Sequence, residues 1–160
     1  MREIDSKIYS PEAFSNELLK IQRPLIFTNG CFDILHLGHI TYLQDAKALG
    51  QTLLVAINTD DSVKKQNKGA DRPINGLEDR LKMLAALEFV DYVTWFDEDT
   101  PIQRIYECRP DILTKGGDWA VKDIVGAEEV ISWGGQVLSI PFRYQRSTTD
   151  LLKRIRATQL

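Results

Sequence analysis

The chain has 160 residues, a length that suits one domain with a substantial core, so we predict a single domain over 1–160. Its 43% hydrophobic content indicates a globular protein, and its net charge of −3 excludes the basic excess of a general nucleic-acid-binding protein. No apolar run suits a membrane span or a secretory signal, and the two cysteines lack metal-ligand spacing. We therefore expect a cytoplasmic protein with no membrane or nucleic-acid partner.

The first half of the chain alternates helix and strand signals. Ser10 as a cap and Pro11 at the first helical position predict an opening helix. The apolar stretch 25–30 then predicts a short buried strand, and the segment behind it has apolar residues at helical spacing up to Gly50. The continuous apolar run 52–58 is typical of a strand that is covered on both faces.

The second half begins with a long polar connection and then continues the alternation. Asn75 and Glu78 have the spacing of a capping pair for the helix that follows this connection. The remaining predicted elements are a strand at 90–96, a helix from Thr100 and Pro101 to before Pro110, a strand in 111–118, a helix in 127–133, a strand in 136–142 and a last helix from Ser147.

Strands that alternate with helices in this way predict parallel pairing with right-handed crossovers. We therefore predict an α/β fold, an open parallel sheet with helices on both faces in a three-layer sandwich. In such sheets the ligand lies beyond the carboxyl ends of the strands, where the strand order reverses. The strand-to-helix junctions are consequently the segments in which we expect the functional residues.

The first junction, GCFDILHLGH at 30–39, contains both histidines of the chain. Gly30 lets backbone amides approach a ligand closely, and the helix behind it offers free N–H groups and the positive end of its dipole. His36 and His39 are three residues apart, so they share a helical face and can point at the same place. They could be ordinary surface or core residues, but their position after a buried strand favours a polyphosphate site.

A second anion site is predicted at the start of the last helix, in RYQRSTTDLL at 143–152. Ser147 and Asp150 have capping-box spacing, which on its own indicates only the beginning of a helix. Basic and hydroxyl side chains at the same helix end add the groups that bind phosphate. These side chains are Arg143, Arg146, Thr148 and Thr149.

GCFDILHLGH resembles the H-x-G-H signature of the nucleotidyltransferase superfamily. Over nearly its whole length the chain is similar to the heptose 1-phosphate adenylyltransferases of bacterial lipopolysaccharide synthesis, in their stand-alone form without a fused sugar kinase. The likeness is carried by TNGCFDILHLGH, RPINGLEDR, KGGDW, VGAEEV and RSTTDLLKRI. It implies a Rossmann-like nucleotidyltransferase fold, transfer of AMP from ATP to a sugar 1-phosphate with Mg²⁺, and a homodimer.

The same resemblance implies roles for individual residues. The two histidines would donate hydrogen bonds to the triphosphate, backbone amides after the first strand would complete the cradle, and the last helix would hold the distal phosphates. The catalytic residues implied are His36, His39, Lys68 and Arg146, and the nucleotide-binding residues are Gly30, Cys31, Phe32, Asp33, Gly38, Lys64, Lys65, Arg72, Lys115, Gly116, Asp118, Trp119, Ser147, Thr148 and Thr149. No protein ligand to the metal is implied.

Several of these residues have a structural alternative. Asp33 can orient a histidine, or it can hold its loop by accepting backbone N–H bonds. Asp118 can accept from a ribose hydroxyl, and Trp119 can stack on the base or simply cover the edge of the sheet. Cys31 and Cys108 are interpreted as small apolar fillers, because nucleotidyl transfer needs no protein nucleophile.

The basic residues of the polar connection at 60–75 are harder to separate from a solvated loop. One of its lysines, at 64, 65 or 68, is expected to close over the phosphates as part of a lid. Arg72 and Arg80 are candidate anion contacts, and Arg80 can equally pair with Glu78 or Asp79 at the surface.

Two other functions remain open at this point. The first is a cytidylyltransferase that acts on glycerol 3-phosphate or a similar alcohol phosphate, because composition does not separate ATP from CTP. The second is a nucleotide-binding module without turnover, against which the histidine pair, the STT helix end and the basic loop all speak.

Overall fold

The computed structural model describes residues 3–66, 69–144 and 146–158. Its centre is a sheet of five strands in the order β3-β2-β1-β4-β5, in which every neighbouring pair is parallel. The strands are β1 (Leu25–Gly30), β2 (Thr52–Asn58), β3 (Tyr92–Phe96), β4 (Ile112–Gly116) and β5 (Gln136–Ile140). The predicted open parallel sheet is therefore confirmed.

Helices follow the strands along the chain and cover both faces of the sheet. They are α1 (Pro11–Glu17), α2 (Leu37–Lys47), α3 (Asp60–Lys65), α4 (Leu77–Ala85), α5 (Ile102–Cys108), α6 (Ala127–Ser132) and α7 (Thr148–Ala157). Three single 3₁₀ turns lie at Asp5–Lys7, Leu18–Lys20 and Val121–Asp123. Among the described residues, no helix has the length and apolar character that a membrane crossing requires.

The core has two halves, one on each side of the sheet, because successive strand residues point to opposite faces. Ile26 of β1 packs with residues of α2 and α4, whereas its neighbours Leu25 and Phe27 pack with residues of α1, α5 and α6. All seven residues of β2 are buried, as the continuous apolar run predicts for a strand covered on both faces. This arrangement is the predicted three-layer sandwich.

Two of the predicted helix caps are present. Ser10 accepts a hydrogen bond from the Ala13 amide at 3.2 Å, and Ser147 accepts one from the Asp150 amide at 3.0 Å. The predicted capping pair of α4 is wrong, because Gly76 precedes that helix and no side chain caps it. Instead, Asn75 Nδ2 donates to the Asp33 carbonyl at 2.6 Å.

The polar connection after β2 is also more ordered than its sequence suggests. Thr59 caps the short helix α3 by accepting a hydrogen bond from the Ser62 amide at 3.2 Å, and Ser62 and Val63 are buried. The order of the strands reverses between β1 and β4, since β2 and β3 lie on one side of β1 while β4 and β5 lie on the other. The carboxyl ends of β1 and β4 are therefore the expected place for a ligand.

Two leucines allow the contribution of a buried side chain to stability to be compared with that of an exposed one. Leu54 in β2 is 0% exposed and Leu19 is 94% exposed. We expect Leu54→Ala to lower the free energy of unfolding by about 2–5 kcal/mol, because it leaves a cavity, and Leu19→Ala to change it by less than about 0.5 kcal/mol. Urea denaturation of both variants measures this; similar losses would contradict the packing described here.

Candidate active site

Two adjoining cavities open at the carboxyl ends of β1 and β4. The first cavity is lined mainly by aromatic rings and glycines, namely Asn29, Gly30, Cys31, Phe32, His39, Tyr42, Lys115, Gly116, Trp119 and Phe142. The second cavity is lined by more polar side chains, namely Cys31, Phe32, Asp33, His39, Arg72, Thr148 and Thr149. Cys31, Phe32 and His39 belong to both, so His39 lies at their junction.

Asp33 fixes the loop between β1 and α2. Its buried carboxylate accepts hydrogen bonds from the amides of Ile74 and Asn75, at 2.9 and 2.8 Å, and from Nε of Arg72. These contacts correspond to the loop-holding alternative, with the difference that the bonded amides belong to the segment before α4. Phe32, the residue before Asp33, adopts a left-handed backbone with φ of 47°.

The glycines of this loop make room for side chains of the protein itself. A Cβ on Gly30 would lie 3.0 Å from the Phe32 ring, so a larger residue at this position would press on that ring. A Cβ on Gly38 would lie 3.1 Å from the His36 ring and 3.2 Å from the Tyr144 carbonyl. Gly38 therefore lets the His36 ring pack tightly against the start of α2.

The two histidines are stacked, although not in the way that their spacing predicts. His36 precedes α2 as its cap and only His39 lies within the helix, so they do not share a helical face. Their ring centroids are nevertheless 3.7 Å apart with an interplanar angle of 19°. Nδ1 of His36 accepts from the His39 amide at 3.4 Å, which places the proton of a neutral His36 on Nε2 and makes that atom its donor.

Burial keeps both imidazoles neutral. It lowers the pKa of His39 to about 3, with a further lowering by the neighbouring His36 and a smaller opposing effect of a hydrogen bond to the Ile34 backbone. Burial also lowers the pKa of His36. In the described part of the chain, Nδ1 of His39 is buried without a hydrogen-bond partner. The pair therefore offers N–H donors to an anion while carrying no fixed charge of its own.

The amino end of α7 reaches the second cavity. Thr148 and Thr149 line this cavity, and Thr148 Oγ1 donates to the Ile34 carbonyl at 3.3 Å, which ties the helix to the histidine loop. Arg146 is exposed beside this helix end. Arg143 pairs with Asp45 and lines neither cavity, so the structure does not bring it into the predicted anion site, and its role there stays a prediction.

The basic residues of the polar connection have different positions. Lys64 and Lys65 are exposed on α3, and Lys64 pairs with Asp61 at 3.1 Å. Lys68 lies outside the described residues. Arg72 is buried with 6% exposure, and within the residues that the structure describes its guanidinium donates through Nε to Asp33. Arg72 also lines the second cavity.

Arg80 is a structural residue that sequence reasoning placed wrongly. It is 0% exposed, so neither a surface pair with Glu78 or Asp79 nor a direct anion contact is correct. Its guanidinium donates to Asp60 Oδ1 at 2.6 Å and to three carbonyls. These are the carbonyls of Cys31 at 2.9 Å, Asn58 at 2.8 Å and Asn75 at 3.0 Å. No local pattern in the sequence indicates these distant acceptors.

The end of β4 forms the far wall of the first cavity. Lys115 Nζ donates to the Asn29 carbonyl at 3.3 Å, and Trp119 Nε1 donates to the Gly116 carbonyl at 3.2 Å. Asp118 is exposed and lines neither cavity, so the structure does not bring it to the site. Tyr42 and Phe142, which do line the first cavity, were missed because each looks like an ordinary apolar residue in sequence.

The two cysteines have different surroundings. Cys31 is buried, but its single S–H can donate either to Gln66 Oε1, 3.3 Å from Sγ, or to Asn58 Oδ1, 3.6 Å from Sγ, so it is more than an apolar filler. Cys108 packs in the core beside α1 and α6, and burial raises the pKa of its thiol to about 12. That environment agrees with the interpretation of Cys108 as a filler.

Comparison with known proteins decides the family. The cytidylyltransferase-like family model matches residues 27–154, the part of the chain that contains both cavities. The chain belongs to this family. This confirms the predicted resemblance, and it makes the chain a nucleotidyltransferase.

Two curated members of the family are closely similar to this chain in sequence. The chain is 55% identical to a D-beta-D-heptose 1-phosphate adenylyltransferase of Bordetella bronchiseptica, over 86% of this chain and 85% of that protein. It is 52% identical to the bifunctional protein HldE of a Marinomonas species, over 81% of this chain. The chain covers only 27% of that longer protein.

Two solved structures support the fold. A lipopolysaccharide core biosynthesis protein from Thermoplasma volcanium is 30% identical with a TM-score of 0.61, covering 76% of this chain and 98% of that one. A pantoate-beta-alanine ligase from Francisella tularensis has the same TM-score of 0.61 at 14% identity, over 96% of this chain and 78% of that one. At that identity, the second likeness shows the fold alone.

The neutral state of His39 predicts how the stability of this nucleotidyltransferase depends on pH. Because its pKa falls from 6.5 to about 3 on folding, the unfolded chain binds more protons between these values, and stability decreases as the pH falls through this window. We expect this decrease to be smaller in His39→Asn, by up to about 1.4 kcal/mol per pH unit. Urea denaturation of both proteins from pH 6.5 to pH 4.5, a span of about two pH units inside this window, measures the difference. An equal decrease of stability in the two proteins would contradict the neutral state of His39.

Proposed function

We propose that this chain transfers AMP from ATP to a heptose 1-phosphate, giving ADP-heptose and pyrophosphate. The observation that carries the proposal is the 55% identity to the heptose 1-phosphate adenylyltransferase of Bordetella bronchiseptica over most of both chains. The name of the Thermoplasma volcanium relative, a lipopolysaccharide core biosynthesis protein, supports a role in that synthesis. Homodimerisation and a lid containing Lys64, Lys65 or Lys68 stay predictions.

The division of the site into two adjoining cavities supports a particular placement of ATP. The nucleoside would occupy the first cavity, and the triphosphate would pass His39 at the junction into the second. There the amino end of α7, the hydroxyls of Thr148 and Thr149, and the terminal nitrogens of Arg72 would hold the distal phosphates. The α-phosphate would then lie beside the stacked histidines, which donate N–H groups to its oxygens.

The reaction needs alignment and charge stabilisation more than a catalytic base. A phosphate oxygen of the sugar 1-phosphate, already ionised at neutral pH, attacks the α-phosphorus in line, and the bond to the bridging oxygen of pyrophosphate breaks. Negative charge grows on the leaving pyrophosphate, where Arg72 and the α7 amides stabilise it. Hydrogen-bond donation to an anion by neutral imidazoles avoids burying two fixed positive charges side by side.

Mg²⁺ fits this site as a partner of the nucleotide. In the part of the chain that the structure describes, no group of three His, Cys, Asp or Glu side chains could hold a metal. The ligands of Mg²⁺ would accordingly be triphosphate oxygens and water, and the ion would neutralise part of the phosphate charge. The carboxylate of Asp33 is already occupied by three N–H donors.

Pyrophosphate release tests the proposed reaction directly. With heptose 1-phosphate and Mg²⁺, we expect faster release from ATP than from CTP, and slower release when glycerol 3-phosphate and CTP replace both substrates. The second pair represents the cytidylyltransferase alternative, which the name of the matching family favours. Faster turnover of that pair would overturn the assignment of substrates, and no release from any pair would indicate a binding module.

The histidines should control turnover in that assay. We expect His36→Ala and His39→Ala to lower kcat by about 10²–10³-fold, the scale for loss of one preorganised donor. Tyr106→Phe is the control, since it removes a 3.2 Å hydrogen bond to Glu129 that lies outside both cavities. Circular dichroism checks that each variant is folded. Near-normal turnover of both histidine variants would remove the proposed mechanism.

The proposed contact of Arg72 with phosphate can be tested separately from its ion pair with Asp33. Arg72→Lys keeps a positive charge for Asp33 but loses the forked terminal nitrogens, so we expect affinity for inorganic tripolyphosphate to fall about tenfold. Arg143→Lys is the matched control, because Arg143 also pairs with an aspartate but lines neither cavity. Calorimetric titration measures both; an equal effect of the two substitutions would argue against a phosphate contact by Arg72.

A further inference from the structure

A chain of three buried hydroxyl groups lies directly beneath the first cavity. Thr28 of β1 and Thr114 of β4 are partners in the parallel register, and each comes directly after buried apolar residues of its strand. The hydroxyl oxygen of Tyr42, in α2, is 2.5 Å from Thr28 Oγ1 and 3.0 Å from Thr114 Oγ1. Because a buried hydroxyl is unfavourable unless it is hydrogen-bonded, the cluster indicates a role that an apolar side chain could not fill.

The depth of these hydroxyls follows from the alternation of side chains along the two strands. Ile26, Thr28 and Gly30 share one face of β1, since successive residues of a strand point to opposite faces. β4 repeats the succession of isoleucine, threonine and glycine at positions 112, 114 and 116. The isoleucines belong to the apolar core, whereas the glycines line the first cavity. The hydroxyl layer therefore separates the core from the floor of the cavity.

The three hydroxyls form a directional chain in which every proton has an acceptor. Thr114 Oγ1 donates to the Phe27 carbonyl at 3.4 Å, so its oxygen accepts from Tyr42. The Tyr42 oxygen in turn accepts from Thr28. Burial raises the pKa of Tyr42 to about 12, against a smaller opposing effect of its two threonine partners, so the phenol keeps its proton at neutral pH. The chain joins β1, α2 and β4 by contacts that depend on direction as well as distance.

Tyr42 lies on the helix that carries the histidine at the junction of the two cavities. It follows His39 by three residues, so the two side chains are neighbours on the surface of α2, and both line the first cavity. The Tyr42 ring packs closely on the end of β4, because a Cβ on Gly116 would stand 3.2 Å from its Cγ. Leu43 and Ala46 hold α2 against the sheet by apolar contacts, which have no direction. The contacts of the Tyr42 hydroxyl are therefore those suited to fix the rotation of the helix.

We infer that Tyr42 is a positioning residue, whose hydroxyl holds α2 and thereby places His39 where its imidazole can donate to the reacting phosphate. The hydroxyl is engaged below the cavity floor, so it acts through His39 and not on the substrates. A misplacement of about 1 Å in a catalytic group can cost about 10²-fold in rate. The effect of Tyr42 on turnover rests on the proposed function, whereas its effect on the histidines rests on the hydroxyl chain alone.

Nuclear magnetic resonance of the imidazole nitrogens tests this role without turnover. The chain has only two histidines, so a long-range proton–nitrogen spectrum at neutral pH contains the imidazole signals of this pair alone, and His39→Asn assigns them. We expect Tyr42→Phe to shift the His39 ring signals, because α2 loses its directional contacts. Thr114→Val should shift the same signals, whereas Thr114→Ser keeps the hydroxyl and should leave them in place.

Steady-state kinetics show whether the displacement of His39 affects the chemical step. With ATP, heptose 1-phosphate and Mg²⁺, we expect Tyr42→Phe to lower kcat about tenfold while KM for ATP stays within about twofold. Thr114→Val should lower kcat as well, and Thr114→Ser should retain it. The double variant Tyr42→Phe with Thr114→Val should lose little more than either single variant, because both break the same chain.

Thr52→Val is the matched control for the loss of a buried hydroxyl. Thr52 is the first residue of β2, at the end of the sheet away from the cavities, and its Oγ1 donates to the Gln22 carbonyl at 2.6 Å. We expect this variant to lower the melting temperature about as much as Tyr42→Phe does, because each loses one buried hydrogen bond. Its kcat and its histidine signals should stay unchanged. Circular dichroism checks that each variant is folded, and Thr114→Val carries the test alone if Tyr42→Phe does not fold.

Three results would overturn the positioning role. The first is unchanged histidine signals in Tyr42→Phe and Thr114→Val, and the second is a kcat within about twofold of the unaltered protein in both. The third is an equal loss of kcat in Thr52→Val, which would assign the effect to general stability. Absence of pyrophosphate release from the unaltered protein would instead overturn the proposed function, and the histidine signals would still decide the role of Tyr42.

Discussion

The buried guanidinium of Arg80 is the interaction on which the site depends. A charge that is 0% exposed must be surrounded by acceptors, and Arg80 finds them in the histidine loop, at the end of β2 and at the start of α4. Three separate segments are thereby held at fixed distances from one another. The Cys31 carbonyl is one of these acceptors, so Arg80 anchors the loop that would bind phosphate.

A second buried pair, Asp33 and Arg72, completes this frame and also faces the ligand. Asp33 neutralises the arginine and fixes the loop before α4, while Arg72 also lines the second cavity. Removing one partner would leave the other without its ion pair, and breaking a buried pair in this way typically costs about 3–5 kcal/mol. The same pair therefore links the stability of the loop to the binding of an anion.

His39 of the stacked histidine pair lines the same cavity as the positively charged Arg72. Their neutrality in the absence of ligand follows from burial and from their closeness to each other. Neutral imidazoles keep N–H groups that can donate hydrogen bonds without adding two adjacent charges to the interior. The aromatic first cavity and the polar second cavity meet at His39, so one side chain would contact both parts of a nucleotide in the proposed placement.

The sequence by itself determined the features that depend on near neighbours. The buried run of β2, the caps at Ser10 and Ser147, and the histidine junction after β1 all follow from local patterns. The sequence could not decide which arginines face a ligand: Arg80 and Arg72 look alike in a polar stretch, yet Arg80 has acceptors 5 to 49 residues away and Arg72 has one 39 residues away. Only the convergence of strand ends brings such partners together, because residue type is local whereas burial and pairing are properties of the folded chain.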